Sequence, residues 1–178
     1  MIANMSANYK DRELQLQIAT RLAWLSYPAL ERLVTFLLRA MDYREVRIVD
    51  GGNQRGYSRY GGMSIMARSR GPIHDSLTLV QVKQIAVQRR YVDELRGCML
   101  RWGAAQGIII SPGNIPEKTR FCADMFPGHP IRLISRARLA QLLIDNGLGI
   151  RTEPLPIKSP DKLVLDELFF EILSDIQP

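Results

Sequence analysis

The segment from Leu77 to Lys83, LTLVQVK, restricts the fold more than any other stretch of this chain. Successive side chains of a strand point to opposite faces, so Leu77, Leu79, Gln81 and Lys83 share one side while Thr78, Val80 and Val82 line the other. A segment this apolar belongs to a sheet, yet it ends in an amide and an ammonium on the same face. Gln81 and Lys83 therefore read as a polar pair presented at a sheet edge or in a cleft. Met63 to Ala67 forms a preceding strand, joined to it by a loop containing Gly71 and Pro72.

The rest of the chain supplies helices and further strands. Met1 to Asn8 is polar and expected to fray, and Asp11 is placed to cap a helix running to Leu25 on Leu14, Ile18 and Leu22. A second helix starts near Pro28 with the wide apolar stripe Leu30, Leu33, Val34, Leu37, Leu38 and Met41. Glu31 stands in its first turn, where the helix dipole favours an acid. Tyr43 to Val49 alternates as a first strand. Beyond Lys83 the pattern predicts a helix over Tyr91 to Trp102, a buried strand over Gly107 to Ile110 and a short helix over Pro116 to Met125. A strand over Pro130 to Ile134 and a Ser135-capped helix stopped at Gly147 follow. Strands alternating with helices through short connections predict right-handed crossovers and a sheet covered on both faces. Glu153 to Pro160, with three prolines, reads as a linker, and Asp161 to Ile176 as a last helix that packs home or meets a partner chain. The organisation expected is an N-terminal helix (1–27), a main domain (28–152) and a linker with a C-terminal helix (153–178).

Charge narrows the class of partner. The chain has 178 residues, 46% hydrophobic and 24% charged, the balance of one soluble globular domain. Its net charge is +6 and its isoelectric point near 9.6, which favours a polyanionic partner. From Arg55 to Arg101 there are nine Lys or Arg against three acids, Asp75, Asp93 and Glu94, so this one region accounts for the whole surplus. The candidates for nucleic-acid contact are Arg55, Arg59, Arg68, Arg70, Arg89, Arg90 and Arg96. Arg55 and Arg59 interleave with Tyr57 and Tyr60 in GGNQRGYSRYGG, a loop without the lysine of a phosphate loop. Its composition fits either a clamp on a nucleic-acid backbone or a surface loop. Asp93 and Glu94 dilute the basic side of the helix that follows Lys83. Cys98 and Cys122 are too few for a zinc site or disulfide framework and read as small buried hydrophobes. No apolar run reaches the ~18 residues of a membrane span and the start lacks a signal-peptide layout, so a cytoplasmic location is expected.

Between Pro28 and Ile150 the order ALERLVTFLLRAMDY, GGMSIMA, VQVK, VDELRGCMLRWGAAQGIIIS and IRLISRARLAQLLIDNGLGI resembles the Mrr-type branch of the PD-(D/E)XK nucleases. The resemblance implies a restriction-endonuclease-like α/β fold, a central mixed sheet flanked by helices on both faces. It implies DNA as partner, magnesium as cofactor and metal-dependent phosphodiester hydrolysis. In that family the strand written here as GGMSI reads G-G-I-D; its aspartate and the Glu or Gln of the later motif hold the metal, while the lysine orients the attacking water. Carried onto this chain, the catalytic positions are Ser64 in place of the aspartate, Gln81, Lys83 and a supporting Glu31. The metal ligands would be Glu31, Gln81 and Asp50, the last at the end of the first strand and able to replace the lost acid. Gln81 and Ser64 are neutral donors, whereas magnesium is usually held by one or two carboxylates. One expectation is therefore a nuclease with an altered site. Another is a nuclease fold kept for DNA binding or as a subunit of a larger complex, and a third is a basic α/β domain in which Gln81 and Lys83 are a surface pair. Dimerisation through the C-terminal helix is expected if both strands of a duplex are cut.

Overall fold

Thr78 through Val82 are all buried, because the strand they form lies in the middle of its sheet with helices over both faces. The computed structural model describes residues 2–49, 62–71, 74–154 and 162–175, the side chains of 2–11 excepted. In chain order the elements are α1 (Ile2–Trp24), α2 (Tyr27–Ala40), β1 (Arg44–Ile48), β2 (Ile65–Ser69), β3 (Ser76–Val82), α3 (Arg89–Trp102) and β4 (Gln106–Ser111). They continue with α4 (Glu117–Asp124), β5 (Ile131–Ser135), α5 (Arg136–Asp145), β6 (Ile150–Glu153), β7 (Lys162–Leu165) and α6 (Glu167–Asp175).

The main sheet is mixed, in the order β1-β2-β3-β4-β5. β1 to β3 run antiparallel through adjacent pairing, with Ile65 opposite Val80 and Arg68 opposite Leu77. β3, β4 and β5 are parallel, with Gln81 level with Ile109 and Leu133. Each parallel step is made through a helix, as crossover geometry requires. β3 is thus the hinge between the two halves of the sheet and not an edge, which corrects one of the two settings expected for Gln81 and Lys83.

The alternation of β3 sorts the core into two layers. Val80 and Val82 join Ile65 and Ala67 beneath α2, with α1, α5 and α6 adding Ile18, Leu22, Leu139, Leu143, Phe170 and Leu173. Leu79 and Met66 face the other way, into Val92, Leu95 and Met99 of α3 and Ala123 of α4. α3 lies so close to β4 that a Cβ on Gly107 would stand 2.8 Å from Met99 Sδ and 3.0 Å from Leu95 Cδ2, so that position takes only glycine without displacement. Ser26 caps α2 by accepting from Ala29 N at 3.3 Å, and Ser135 caps α5 by accepting from Arg138 N at 3.5 Å.

The two chain ends differ from expectation. Helix α1 begins at Ile2 rather than Asp11, and its C-terminal half is held against α5 by the Leu14, Ile18, Leu22 stripe. Glu153, the first residue of the segment expected as a linker, closes β6, which pairs antiparallel with β7, and β7 takes up residues 162–165 of the expected last helix, so that α6 starts only at Glu167. Residues 155–160 of that segment lie outside the described residues. α6 packs home: Phe170 and Leu173 are buried, and Arg32 of α2 donates to the Leu173 carbonyl at 3.2 and 2.6 Å. Among the described residues no helix is long and apolar enough to cross a membrane.

Because α6 closes the α2 layer, Phe170→Ala and Leu173→Ala should each destabilise the whole domain by about 2–5 kcal/mol. Denaturant melts followed by circular dichroism check this, a lower midpoint with one cooperative transition being the expected result.

Candidate active site at the end of the central strand

Lys83 is the first residue beyond β3, and its N–H donates to the Ile110 carbonyl at 3.0 Å, so the chain leaves the sheet still tied to β4. The segment that follows is stitched to the β4–α4 loop. Val87 N donates to the Asn114 carbonyl at 2.8 Å, Ser111 Oγ to the Ile85 carbonyl at 2.8 Å and Thr119 Oγ1 to the Val87 carbonyl at 3.2 Å. These bonds fix where α3 begins and so bring Tyr91 to Lys83. Lys83 Nζ lies 4.6 Å from the centre of the Tyr91 ring and Arg90 Cζ 4.9 Å from it, while Arg90 Nη2 donates to Tyr91 Oη at 3.0 Å. Such cation–ring contacts aim the cations without neutralising them. The hydrogen bond to Tyr91 raises the Arg90 pKa further above its ordinary value, with Glu94 contributing in the same direction. Among the described residues neither Lys83 nor Arg90 forms an ion pair.

Gln81 shares the face of Lys83. Its side chain is 0% exposed, and neither Nε2 nor Oε1 has a hydrogen-bond partner among the described residues. An unsatisfied buried amide costs about 1–3 kcal/mol, and the groups of this kind that a native structure retains call for an explanation. The amide projects toward Gly62 and α3. Gly62 has a φ of +91°, and a Cβ there would run into Gln81 Nε2 and come within 3.0 Å of Glu94 Oε2. The absence of a side chain at position 62 thus leaves a cradle with the Gln81 amide on one side and the Glu94 carboxylate on the other. The neighbouring acid Asp93 is turned elsewhere, toward Arg89 at 3.4 Å and Arg96 at 3.8 Å.

Ser64 is only 2% exposed, and its hydroxyl is committed. Ser64 Oγ accepts from Val82 N at 3.1 Å and shares a hydrogen bond with Tyr27 Oη at 2.9 Å, joining the entry of β2 to β3 and to the start of α2. The backbone is committed as well: Ser64 N donates to the Val80 carbonyl at 2.8 Å and its carbonyl accepts from Val49 N at 2.9 Å. Glu31 is buried on α2, the helix over the Val80 and Val82 face, whereas Gln81 turns to α3 on the other side of the sheet. Asp50 lies outside the described residues.

The expected basic surface is divided. Arg68 pairs with Glu45 at 3.0 Å and Arg70 with Asp42 at 3.5 Å. Both stand at the Ser76 end of the β2–β3 ladder, the opposite end from Lys83. The Arg96 side chain is 12% exposed; it donates to the carbonyls of Cys122 and Ala123 at 3.0 and 3.2 Å and covers the Phe126 ring, fastening α4 to α3. Arg89 and Arg90 remain exposed near Lys83. Arg55 and Arg59 lie outside the described residues. Burial pushes the Cys98 thiol pKa up, in keeping with a core cysteine.

Tyr91 and Glu94 join the site without having stood out in the sequence, one read as the start of a helix and the other as a diluting charge. Their spacing of three on one helix, which puts them on the same side, was the available signal. Among the described residues no three His, Cys, Asp or Glu side chains converge. Among the described residues the oxygen donors at the cradle are the Gln81 amide and the Glu94 carboxylate, which is the lower limit of what magnesium uses when phosphate oxygens and waters complete its shell.

Residues 22–143 match the Mrr_cat family model, described as a restriction endonuclease. No curated protein sequence matches the chain. Among solved structures it is similar to the DNA modification-dependent restriction endonuclease AspBHI, with a TM-score of 0.50, 16% identity, and coverage of 78% of this chain and 36% of that one. It is also similar to MspJI restriction endonuclease in complex with a 27-mer oligonucleotide, with a TM-score of 0.46, 15% identity, and coverage of 75% and 31%. The chain therefore spans about a third of the length of each of these structures.

Ser64→Ala should cost about 1–3 kcal/mol, since it leaves the Val82 N–H buried without an acceptor. Tyr27→Phe should cost less, because Ser64 keeps its bond to Val82. Urea unfolding of both variants measures the difference.

Proposed function

The chain belongs to the restriction endonuclease family, and on that footing we propose that it grips the phosphate backbone of duplex DNA at the Gln81–Lys83 end of the sheet and hydrolyses a phosphodiester there. One observation carries the reading: a fully buried amide is left without hydrogen bonds beside a lysine that has no counter-ion among the described residues. A strand selected only for its core would carry a leucine at position 81. An unmade set of hydrogen bonds next to an unneutralised cation is the complement of a phosphate and its attacking water.

The Lys83 side chain offers N–H donors, so it orients a water or holds a non-bridging phosphate oxygen. The Tyr91 ring keeps it from swinging into solvent. Arg90 offers a second set of donors next to it, and as charge develops on the phosphoryl oxygens both cations act on it from fixed positions. A divalent cation of the magnesium class, with Gln81 as one neutral oxygen donor, would supply acidification of the water and charge neutralisation. Arg89 continues the basic surface along the duplex, and two copies of the chain would place sites on both strands. For that pairing α6 presents Leu168 and Ile172, which are 62% and 52% exposed.

A second reading rests on Ser64. Its hydroxyl is tied into the β2–β3–α2 joint, where the family pattern has an aspartate. With the acid replaced by a structural bridge, the same surface serves as a DNA-binding module or as a subunit of a larger complex.

Supercoiled-plasmid nicking with magnesium or manganese, run beside duplex binding at several salt concentrations, separates these readings. The expected result is nicking by the native chain and a loss of roughly 100-fold in Lys83→Ala. Arg90→Ala should flatten the salt slope by about one charge. Salt-sensitive binding without nicking selects the second reading, and binding indifferent to salt overturns both.

A further inference from the structure

The cradle over Gly62 points to a function for Glu94. We infer that Glu94, presented by α3 across Gly62 from the buried amide of Gln81, is the carboxylate of this site and with Gln81 forms a subsite for a divalent cation. The inference deepens the nuclease reading and rests on it for its role in hydrolysis, whereas cation binding can be measured independently.

Three independent features converge on the same few ångströms. Gly62 adopts a left-handed backbone at φ +91° and carries no side chain where one would strike the Gln81 amide and approach Glu94 Oε2 to 3.0 Å. The Gln81 amide faces this gap with neither of its polar atoms bonded among the described residues. Glu94 makes no ion pair among the described residues, although Asp93 beside it makes two. The Glu94 charge acts on Arg90 without a close contact between the two. A half-turn about the last bond of Gln81 exchanges Nε2 for Oε1, and then two oxygens, one of them charged, face the same point. That is a hard, anionic donor pair, the kind magnesium and manganese take when waters and a phosphate oxygen complete the shell. The sheet position that has become Ser64 is closed by its hydrogen bonds to Val82 and Tyr27, so the acid is supplied from the helix layer instead. Gln81, Lys83 and Glu94 then act on one side of β3.

The test is a manganese titration of the full chain, with and without a short duplex, read by electron paramagnetic resonance. Glu94 is exposed, so Glu94→Gln leaves the core untouched, and melting curves confirm the fold. The expected result is manganese binding by the native chain, weakened at least about tenfold in Glu94→Gln and unchanged in Asp93→Asn. Native-like binding in Glu94→Gln, or no manganese binding by the native chain with duplex present, overturns the inference. Nicking that survives Glu94→Gln but not Lys83→Ala leaves the nuclease reading standing and removes Glu94. Manganese binding that needs Glu94, in a chain that never nicks, does the reverse.

Discussion

Burial of β3 on both faces is the constraint from which the rest of this structure follows. The strand carries the antiparallel β1–β2 half on one side and the parallel β4–β5 half on the other, and helices cover it above and below. Five successive residues, Thr78 to Val82, are out of water. A polar side chain within such a strand has no solvent to fall back on, so its hydrogen bonds must come from protein or from a ligand. Thr78 meets this demand through Gln106, whose Nε2 donates to Thr78 Oγ1 at 2.9 Å. Gln81, three residues on at the strand's far end, finds no partner among the described residues. The two residues sit in the same strand at equal burial, and the contrast isolates position 81 as one shaped by something other than packing.

The ends of β2 and β3 show how a single joint distributes chemistry to the two faces. Met63 belongs to the α3 layer and Ser64 turns to Tyr27 of α2, so the strict alternation of β2 begins only at Ile65. This irregular entry lets a serine hydroxyl take the Val82 N–H, a bond a regular ladder would give to a carbonyl. The consequence is mechanical, in that α2, β2 and β3 are fastened at one point. It is also electrostatic, because the fastening is neutral, and among the described residues Lys83, Arg90 and Glu94 bring charge to the end of β3. Residues 22–143 place the chain in the restriction endonuclease family, and these local features set which side chains stand at the end of β3 in this chain.

Much of the architecture was legible from periodicity alone. The apolar stripes of α2 and α3, the alternation in β3 and the continuous run in β4 are local patterns that any fold of this chain must bury, so their elements could be placed to within a few residues. The Gln81–Lys83 pairing on one face followed from the period of a strand. Elements stabilised by distant contacts were not legible. β6 and β7 are four-residue strands on either side of Pro154, Pro156 and Pro160 that are defined by pairing with each other, and the polar first turns of α1 carry no stripe to argue for a helix.

Which polar residues act together was a tertiary decision. Sequence determined that positive charge is concentrated between Arg55 and Arg101 and that an amide and a lysine end the central strand. It could not tell Arg96, folded against α4, from Arg90, laid on Tyr91, nor place Arg68 and Arg70 at the remote end of the ladder, because all of them are simply basic residues near one another in the chain. Nor could it bring Glu94 to Gln81, since strand and helix meet only when Gly62 and Gly107 let the layers approach. Hydrophobic spacing is written residue by residue along the chain, whereas the partners of a charge are set by distances that exist only once the layers have packed.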